Sequence, residues 1–498
     1  MSALYKSRHF LIATLTVLLC VSAVVCVRAD EPPKAKNVIL FIADGAGFNS
    51  EVLGSYYRTG EAWGESYQNF PTILGVSTFA IHRSSNREVK WDPVKEPEMN
   101  AGYVPSEFWK DPSGAHWRAS NTAVTDSAAA ATAINTGVKT NNGRINVDPQ
   151  DNVLENFAQK NAKAGRSVGV VTTTQISHAT PAGVCAHNDN RNAYQEISQE
   201  QINDAPINVL MGAGHPEYNN GRKIDKKPED LQYQFVGGRE LWEKVKANDG
   251  YKDWNFIDHR SQFAELAAAT PDSGQEVPSK VLGIVRTGGG APPIDGDVDD
   301  PQKMIDKYSQ ETVDAIPSLT EMTLGALNVL STNDNGFYLM VEGGNIDGAN
   351  HSNNAANSVL EHTGFAKAID AAIEWVEKYS SWDETLMIVT ADHETGQIWG
   401  DGTYVDENNN GRYDSEDTFE GFQKIEASKK GEVPDVQYLS GGHTNALVPF
   451  CAKGAGAESA MNFIRGNDAK AAKFWNFSGD YIYNIDVYTI MSTATGIE

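Results

Sequence analysis

Residues 37–47 read NVILFIADGAG, an uninterrupted apolar run that ends at Asp44 and a glycine-rich turn. Apolar runs without polar alternation are typical of strands that are buried on both faces of a parallel sheet. Five further runs have the same character: GRSVGVVTTTQ (165–175), INVLMGAG (207–214), NGFYLMVEGG (335–344), TLMIVTADHE (385–394) and NALVPFCAKG (445–454). The pattern therefore predicts a sheet of buried strands.

Helical patterns separate these strands. The segment 317–331, PSLTEMTLGALNVLS, carries Ser318 and Glu321 at the spacing of a capping box, which marks the start of a helix. Strands that alternate with helices predict an α/β fold with a doubly wound, mostly parallel central sheet flanked by helices. The chain of 498 residues is 40% hydrophobic and 21% charged, which is ordinary for a globular protein.

The N-terminal residues 1–29 have the pattern of a secretory signal peptide. Lys6 and Arg8 precede an apolar run over residues 10–27, and Ala29 fits the small-residue rule for cleavage. An uncleaved anchor is the alternative, but the run is short for a membrane span. We therefore predict a secreted or periplasmic protein with no membrane contact beyond the signal peptide.

The chain is strongly acidic, with a net charge of −25, and loss of the signal peptide would remove Lys6, Arg8 and Arg28 but no acidic residue. Such a surface repels nucleic acid and anionic membranes, so neither is expected as a partner. Outside the signal peptide, only Cys185 and Cys451 remain. Export permits a bridge between them, but both lie in apolar contexts where a buried free thiol is an equal alternative. No disulfide is predicted.

Acidic and imidazole side chains cluster around the predicted strand ends. In an open α/β sheet, ligands bind beyond the carboxyl ends of the strands. A single acid there is usually a turn or cap residue, whereas the repeated layout predicts one cluster. Carboxylate and imidazole ligands suit zinc and magnesium. The residues concerned are Asp44, His178, Thr180, Glu342, Asp347, His351, Asp392, His393 and His443.

The stretch TAVTDSAAAATAINTG, residues 122–137, predicts an alanine-rich helix with Asp126 and Ser127 at its start. Ser127 could simply cap the helix. The alternative is a nucleophile, because the positive end of a helix attracts an anion. A serine needs a base or a metal to become nucleophilic, and no G-x-S-x-G motif is present. Metal activation is therefore the favoured route.

Eight motifs together resemble the alkaline phosphatase family, and the likeness covers residues 37–498. They are NVILFIADGAG, TDSAAAATA, GVKTNNG, HATPAG followed by AHNDNR, PSLTEMT, VEGGNID, TADHETG and GGHT, in the family's order. The resemblance implies a phosphomonoesterase with a phosphoserine intermediate, two zinc ions and one magnesium ion. It also implies a homodimer.

The resemblance assigns a role to each matching residue. Ser127 is similar to the nucleophile and Arg191 to the arginine that binds phosphate through its guanidinium fork. Asp126 and His178 match positions that surround the metal ligands and orient them. The implied metal ligands are Asp347, His351 and His443 for the first zinc; Asp44, Asp392, His393 and Ser127 for the second zinc; and Asp44, Thr180 and Glu342 for magnesium.

Two positions depart from the family pattern. Gly348 stands where many members carry lysine, histidine or tryptophan, so a side-chain contact to phosphate through water is missing. His178 occupies a position that is aspartate in some members and histidine in others. Both bear on the surroundings of the metal ligands, which tune metal affinity, so the selectivity of the third metal site does not follow from the family.

A second cation site is suggested by DENNNGRYDSED, residues 406–417. The spacing follows a calcium-binding loop, with the usual final glutamate replaced by aspartate and with a glycine at the sixth position. An acidic surface loop is the alternative. The loop falls within the stretch at about 397–440, where the family inserts its variable crown region. The candidate calcium ligands are Asp406, Asn408, Asn410, Arg412 through its carbonyl, Asp414 and Asp417.

Two rival functions stay open. A phosphodiesterase would share the metal ligands, although Arg191 favours the dianion of a monoester. A non-enzymatic, metal-dependent phosphate-binding or adhesive protein would suit the acidic surface and the calcium-like loop. A sulfatase is disfavoured, because the C-x-P-x-R signature is absent.

Overall fold

A large central sheet organises the protein. The computed structural model describes residues 34–81, 102–112, 124–297 and 300–497, so the predicted signal peptide, residues 1–29, lies outside the described residues. Residues 33–498 form one compact unit. Among the described residues, no helix combines the length and the apolar character that a membrane crossing requires.

The described strands, in chain order, are β1 (Asn37–Ala43), β2 (Thr72–Ser77), β3 (Ser167–Gln175), β4 (Val209–Ala213), β5 (Tyr218–Asn219), β6 (Arg222–Lys223), β7 (Asn255–Ile257), β8 (Val281–Ile284), β9 (Phe337–Gly343), β10 (Thr385–Thr390), β11 (Glu394–Thr395), β12 (Ile398–Gly400), β13 (Tyr404–Val405), β14 (Thr418–Phe419), β15 (Val436–Tyr438), β16 (His443–Thr444), β17 (Val448–Gly454), β18 (Gly466–Asn467) and β19 (Asp480–Tyr483).

The described α-helices are α1 (Phe48–Thr59), α2 (Pro105–Phe108), α3 (Ser127–Thr136), α4 (Phe157–Lys163), α5 (Ala179–Cys185), α6 (Tyr194–Asn203), α7 (Arg239–Lys246), α8 (Arg260–Ala268), α9 (Pro301–Tyr308), α10 (Gln310–Ala315), α11 (Leu319–Leu330), α12 (Asn345–His351), α13 (Ala355–Tyr379), α14 (Ala469–Trp475) and α15 (Asn484–Thr495).

Within the described residues, eleven strands form the central sheet in the order β18-β19-β2-β17-β10-β1-β9-β3-β4-β8-β7. The block from β10 to β7 is parallel throughout. Next to it, β17 runs antiparallel to both β10 and β2. The prediction of a doubly wound, mostly parallel sheet flanked by helices is therefore confirmed.

The central strands are apolar along their whole length because both faces of the sheet are covered. Every residue of β1, β9 and β10 is buried, so an alternating pattern would have placed polar groups in the core. The predicted capping box is present at α11, where Ser318 accepts from the amide of Glu321 and the Glu321 side chain accepts from the amide of Ser318. Cys185 and Cys451 are both buried and free.

Helix α3 is the alanine-rich stretch, and all ten of its residues are buried. The helix packs closely against α5, since a Cβ added at Gly183 would lie 2.4 Å from the Cβ of Ala131. Larger side chains on α3 would push the two helices apart. The alanines therefore allow a helix start to be held rigidly at the edge of the sheet.

Residues 397–440 contain two short antiparallel strand pairs, β12 with β15 and β13 with β14. The 406–417 loop joins β13 to β14, and its side chains are engaged in hydrogen bonds within the loop. Asp406 accepts from the amide of Gly411, and Asp417 accepts from the amide of Asp414. Calcium binding by this loop stays a prediction.

Candidate metal centre and catalytic serine

Four neighbouring strands bring the predicted ligands to one edge of the sheet. Strand β1 lies between β9 and β10, and β9 lies beside β3. Ile42 is in register with Thr390 on one side and with Glu342 on the other. Because these strands are parallel and aligned, their carboxyl ends meet, and the residues that follow them converge.

His443 lies at the same edge of the sheet, but it precedes a strand, whereas the other residues follow one. Because β17 is antiparallel, its beginning lies where its neighbours end, and His443 shortly precedes it. The small β11–β16 ladder pairs Thr395 with His443. This pairing stacks the ring of His443 on that of His393, with 3.6 Å between centroids.

Asp347, His351 and His443 form the first cluster. Asp347 and His351 stand one turn apart on α12, and His351 Nε2 lies 3.3 Å from Asp347 Oδ2 and 3.1 Å from His443 Nε2. The Nδ1 atoms of the histidines face the carbonyls of Gly441 and Thr125 at 2.8 and 2.9 Å. A carbonyl only accepts, so each Nδ1 carries the proton and each Nε2 is directed into the cluster.

Asp44, Asp392 and His393 form the second cluster, beside Ser127. His393 Nε2 lies 3.1 Å from Asp392 Oδ2, 3.6 Å from Asp44 Oδ1 and 3.2 Å from Ser127 Oγ. One ligand atom from each of Asp44, Asp392 and His393 lies within 4.8 Å of the others, a spacing that one cation can bridge. His393 also groups with Asp347 and His443 at that spacing, so it lies between the two clusters.

Asp44, His178 and Glu342 form the third cluster, with ligand atoms within 4.8 Å of one another. Glu342 is oriented by β3, because its Oε2 accepts from the hydroxyls of Thr172 and Thr174. The structure adds His178 here as a potential direct ligand, whereas the sequence comparison placed it only in the surroundings of the ligands.

The polar atoms of these clusters fit bound cations. Within the described residues, six buried atoms on the predicted ligand residues and on His178 have no hydrogen-bond partner: both Asp44 Oδ atoms, Thr180 Oγ1, His178 Nδ1, Glu342 Oε1 and Asp392 Oδ2. Burying such atoms unpaired is costly, and coordination of a cation removes the cost. All six atoms belong to residues that the sequence singled out, so the donor set fits metal binding.

The pKa values of the buried carboxyl groups also fit bound cations. Burial raises the pKa of Asp44 well above its ordinary value, and the charge of Asp392 adds to the effect. Burial also raises the pKa of Glu342 to about 7, although a hydrogen bond from Thr172 opposes it. A divalent cation would reverse both shifts, because it stabilises the ionised carboxylates.

At the first cluster, a proton on His351 would compete with a bound cation. The hydrogen bond to Asp347 raises the pKa of His351 to about 9. A metal ion at Nε2 must displace that proton, so metal affinity at this cluster falls as the pH falls below the pKa.

Asp126 joins the helix start to Arg191. Its Oδ1 accepts from the amide of Ala129, so Asp126 rather than Ser127 is the cap of α3. Its Oδ2 accepts from the amide of Gly143 and from Arg191 Nη1 at 3.0 Å. Burial opposes the charge of Arg191, but Asp126 outweighs it and the pKa is raised, so the guanidinium stays cationic. Ser127 is therefore free of a capping role and lies 2% exposed at the positive end of the helix.

Thr395 is a site residue that the sequence reasoning missed. Its hydroxyl donates to Asp347 Oδ1 at 2.6 Å and lies 3.3 Å from His393 Nδ1, so it links two clusters. Thr395 is two residues after His393 in TADHETG, and that proximity was the available signal.

Replacing Thr395 with valine is expected to weaken zinc binding by about 10- to 100-fold, since the variant loses the hydrogen bond that orients Asp347. Competition with a chromogenic chelator measures the affinity. The matched control is Thr363→Val on α13, whose hydroxyl bonds only the carbonyl of Val359 among the described residues. Equal zinc affinities in the two variants would show that Thr395 does not orient Asp347.

Close packing does not explain why glycine stands at position 348. A Cβ at Gly348 would meet no atom of the described residues within 4 Å, so the backbone has room for the larger side chains of other family members. The difference from those members is therefore the loss of a side chain and not a change in the shape of α12.

The fold and the three clusters define a class: an α/β protein with a carboxylate–imidazole metal centre beside a serine at a helix start. The sequence model of the family described as Alkaline phosphatase matches residues 74–476. The chain belongs to the alkaline phosphatase family.

Curated relatives agree with this assignment. Alkaline phosphatase 4 of Bacillus subtilis (strain 168) is 33% identical over 55% of this chain and 50% of its own length. The repressible alkaline phosphatase of Saccharomyces cerevisiae is 31% identical, over 73% and 56%. Alkaline phosphatase of Escherichia coli (strain K12) is 30% identical, over 73% and 71%. The chain thus spans about half the length of the first two relatives.

Solved structures agree on the fold. The structure of alkaline phosphatase from the Antarctic bacterium TAB5 superposes with a TM-score of 0.58 and 22% identity, over 94% of this chain and 100% of that one. Thermus thermophilus alkaline phosphatase gives a TM-score of 0.60 and 20% identity, over 94% and 93%. The central sheet and its flanking helices are therefore those of alkaline phosphatases.

Proposed function

We propose that this protein is a phosphomonoesterase that works through a phosphoserine intermediate on Ser127. The observation that carries the proposal is the placement of Ser127 Oγ 3.2 Å from His393 Nε2, in the second ligand cluster, at the positive end of a helix capped by another residue. Family membership supports the same reaction class.

The proposed metal content is two zinc ions and one magnesium ion. Asp347, His351 and His443 would hold the first zinc, and Asp44, Asp392 and His393 the second, with Ser127 beside it. Asp44, Thr180 and Glu342 would hold magnesium, with His178 in reach. When bound, these ions supply the charge that lowers the pKa of the serine hydroxyl and stabilises the departing oxygen.

The remaining roles in the reaction belong to side chains of the protein. Ser127 Oγ forms a bond to phosphorus while the ester P–O bond breaks and the alcohol leaves. Water then breaks the bond between Ser127 Oγ and phosphorus, which releases inorganic phosphate and restores the hydroxyl. Arg191 binds two phosphoryl oxygens through its fork, and Asp126 holds that fork in place.

A rate comparison tests the proposal. With zinc and magnesium present, the purified protein is expected to hydrolyse an aryl phosphate monoester faster than the matched diester, because Arg191 pairs best with a dianion. A faster rate on the diester would favour a phosphodiesterase. No hydrolysis of either, together with no phosphate label on Ser127 at low pH, would favour a binding protein.

The third site is expected to depend on His178. Burial and the nearby charge of Arg191 lower the pKa of His178 to about 4, so its imidazole is neutral at pH 7 and able to bind a metal. Imidazole suits zinc, whereas carboxylate suits magnesium. His178→Asp should therefore shift the third ion toward magnesium by about tenfold or more.

Metal analysis after dialysis against both ions measures this shift. The control is His259→Asp, because His259 caps α8 and belongs to none of the three clusters, and aspartate is also a good helix cap. Unchanged metal content in His178→Asp would show that His178 does not select the ion.

Export to the periplasm or the medium, cleavage after Ala29, assembly as a homodimer and calcium in the 406–417 loop complete the proposal. The signal pattern and the family support the first three. The catalytic domain would then run over residues 37–498, with the crown at about 397–440. The calcium-like spacing supports the last.

A further inference from the structure

The motif GVKTNNG, residues 137–143, follows α3 directly and ends in a turn. None of its residues has a role in the proposed reaction. The last two, Asn142 and Gly143, bind the segment that leads into Ser127, and Gly143 also binds the backbone of Arg191. One short turn therefore stands between the proposed nucleophile and the arginine that binds phosphate.

Asn142 binds the backbone of the segment that precedes Ser127. Its Oδ1 accepts from the amide of Asp126 at 2.9 Å, and its Nδ2 donates to the carbonyl of Val124 at 2.9 Å. Residues 124–126 belong to none of the described strands, so this side chain supplies the partners that a neighbouring strand would otherwise provide. An amide side chain suits this position because it carries an acceptor and a donor side by side.

The segment that is held in this way serves three parts of the site. The carbonyl of Thr125 faces Nδ1 of His443 at 2.9 Å and so orients a ligand of the first cluster. The carboxylate of Asp126 accepts from Arg191 Nη1 at 3.0 Å. The next residue is the serine itself. A displacement of this segment would therefore move the nucleophile and change the support of the arginine together.

Gly143 joins the same turn to the segment of Arg191. Its amide donates to Asp126 Oδ2 at 2.9 Å, and its carbonyl accepts from the amide of Arg191 at 2.8 Å. The φ angle of Gly143 is 84°, in a region that favours glycine. Two residues later, Ile145 and Asn188 exchange both backbone hydrogen bonds, at 2.8 and 2.9 Å. The turn is thus bound to both segments.

We propose that Asn142 is a positioning residue that sets the distance between Ser127 and the guanidinium of Arg191. The inference rests on the proposed phosphomonoesterase activity. Asn142 acts through residues 124–126 and not through contact with the substrate. A phosphoryl group must meet the serine oxygen and the guanidinium fork at once, so the separation of these two groups decides whether the reactive geometry is reached.

Asn142→Ala tests the proposal, because it removes both hydrogen bonds and leaves Ser127, Arg191 and the proposed metal ligands unchanged. We expect kcat for an aryl phosphate to fall by about 30- to 100-fold, since a misplacement of about 1 Å can cost that much. The affinity for inorganic phosphate should fall about tenfold, because Asp126 no longer holds the guanidinium at a fixed position. Calorimetric titration with zinc and magnesium present measures this affinity.

The matched control is Asn333→Ala. Asn333 makes contacts of the same kind, since its Nδ2 donates to the carbonyl of Gly165 at 3.0 Å and its Oδ1 accepts from the amide of Asn335 at 3.0 Å. It precedes β9, so it lies at the end of the strands opposite to the ligand clusters. Both kcat and phosphate affinity should stay within about twofold of the wild-type values. Equal losses in the two variants would overturn the proposal.

Amide hydrogen exchange tests the positioning without any reaction. Residues 124–130 should exchange about tenfold faster in Asn142→Ala than in the wild type, and at the wild-type rate in Asn333→Ala. An unchanged rate in Asn142→Ala would overturn the proposal. If the wild type hydrolyses no phosphate ester, the proposed function fails, and the exchange rates still decide whether Asn142 holds this segment.

Asn142→Asp replaces the alanine variant if that variant does not fold. The aspartate has nearly the same size and keeps an acceptor for the amide of Asp126, but its second oxygen opposes the carbonyl of Val124. A kcat lowered about tenfold or more would support the proposal. A wild-type kcat would overturn it.

Discussion

Replacing Ser127 with alanine is expected to lower turnover of an aryl phosphate by on the order of 10⁴-fold or more, because removal of a nucleophile leaves only binding and electrostatic stabilisation. The fold should persist. Ser127 does not cap α3, since Asp126 accepts from the amide of Ala129, and alanine suits the helix that follows. Rates measured together with the thermal midpoint separate these effects.

The matched control is Ser352→Ala. Ser352 follows His351 directly, but it is exposed, and within the described part of the chain its hydroxyl bonds only the carbonyl of Gly348, so turnover should change little. Retention of substantial turnover by Ser127→Ala, at an unchanged thermal midpoint, would eliminate the phosphoserine route. Incorporation of phosphate label into Ser127→Ala would do the same.

Chelation of bound metal is expected to abolish turnover and to lower the thermal midpoint. Without a cation, the buried carboxylates Asp44, Glu342 and Asp392 lie close together, and the atoms that face the clusters lack partners among the described residues. Their repulsion and burial oppose the folded state, whereas a metal that binds only the folded state stabilises it. Zinc with magnesium should restore both properties.

Ser127→Ala separates the effect of metals on stability from their effect on turnover. The variant keeps every carboxylate and imidazole ligand, so its thermal midpoint should still rise when metals are added, although it stays inactive. Calorimetry on the chelated and reconstituted forms measures the change. A midpoint that does not respond to metals in either protein would argue against the ligand clusters.

Low pH should weaken metal binding and should therefore have the same effect as chelation. His351 binds a proton below a pKa of about 9, and each proton bound competes with a metal at Nε2. The cluster therefore binds metal more strongly as the pH rises through that range.

Much of the architecture could be predicted from local sequence. Unbroken apolar runs predicted β1, β3, β4, β9, β10 and β17. A strand that is covered on both faces lacks the alternation of apolar and polar residues seen in a half-exposed strand. Ser318 and Glu321 predicted the start of α11, because a cap depends on residues three apart. The ligands at the strand ends followed from the general geometry of parallel sheets.

Other features depended on contacts between distant segments. Asp126 became the helix cap and the partner of Arg191, 65 residues away, so only the folded chain distinguished it from Ser127. Thr395 gained its role through Asp347, 48 residues earlier. No local pattern specifies such pairs, since the same residue types are common in ordinary turns.

The sequence by itself determined the α/β class, the strand ends that carry ligands and the family motifs, because each depends on short-range patterns or on their order. The tertiary structure alone decided that β17 runs antiparallel, which brings His443 to the site, and that His393 stacks on His443 through the β11–β16 ladder. It also brought His178 close to Asp44 and Glu342. These outcomes required the packing of segments far apart in the chain, which sequence spacing does not encode.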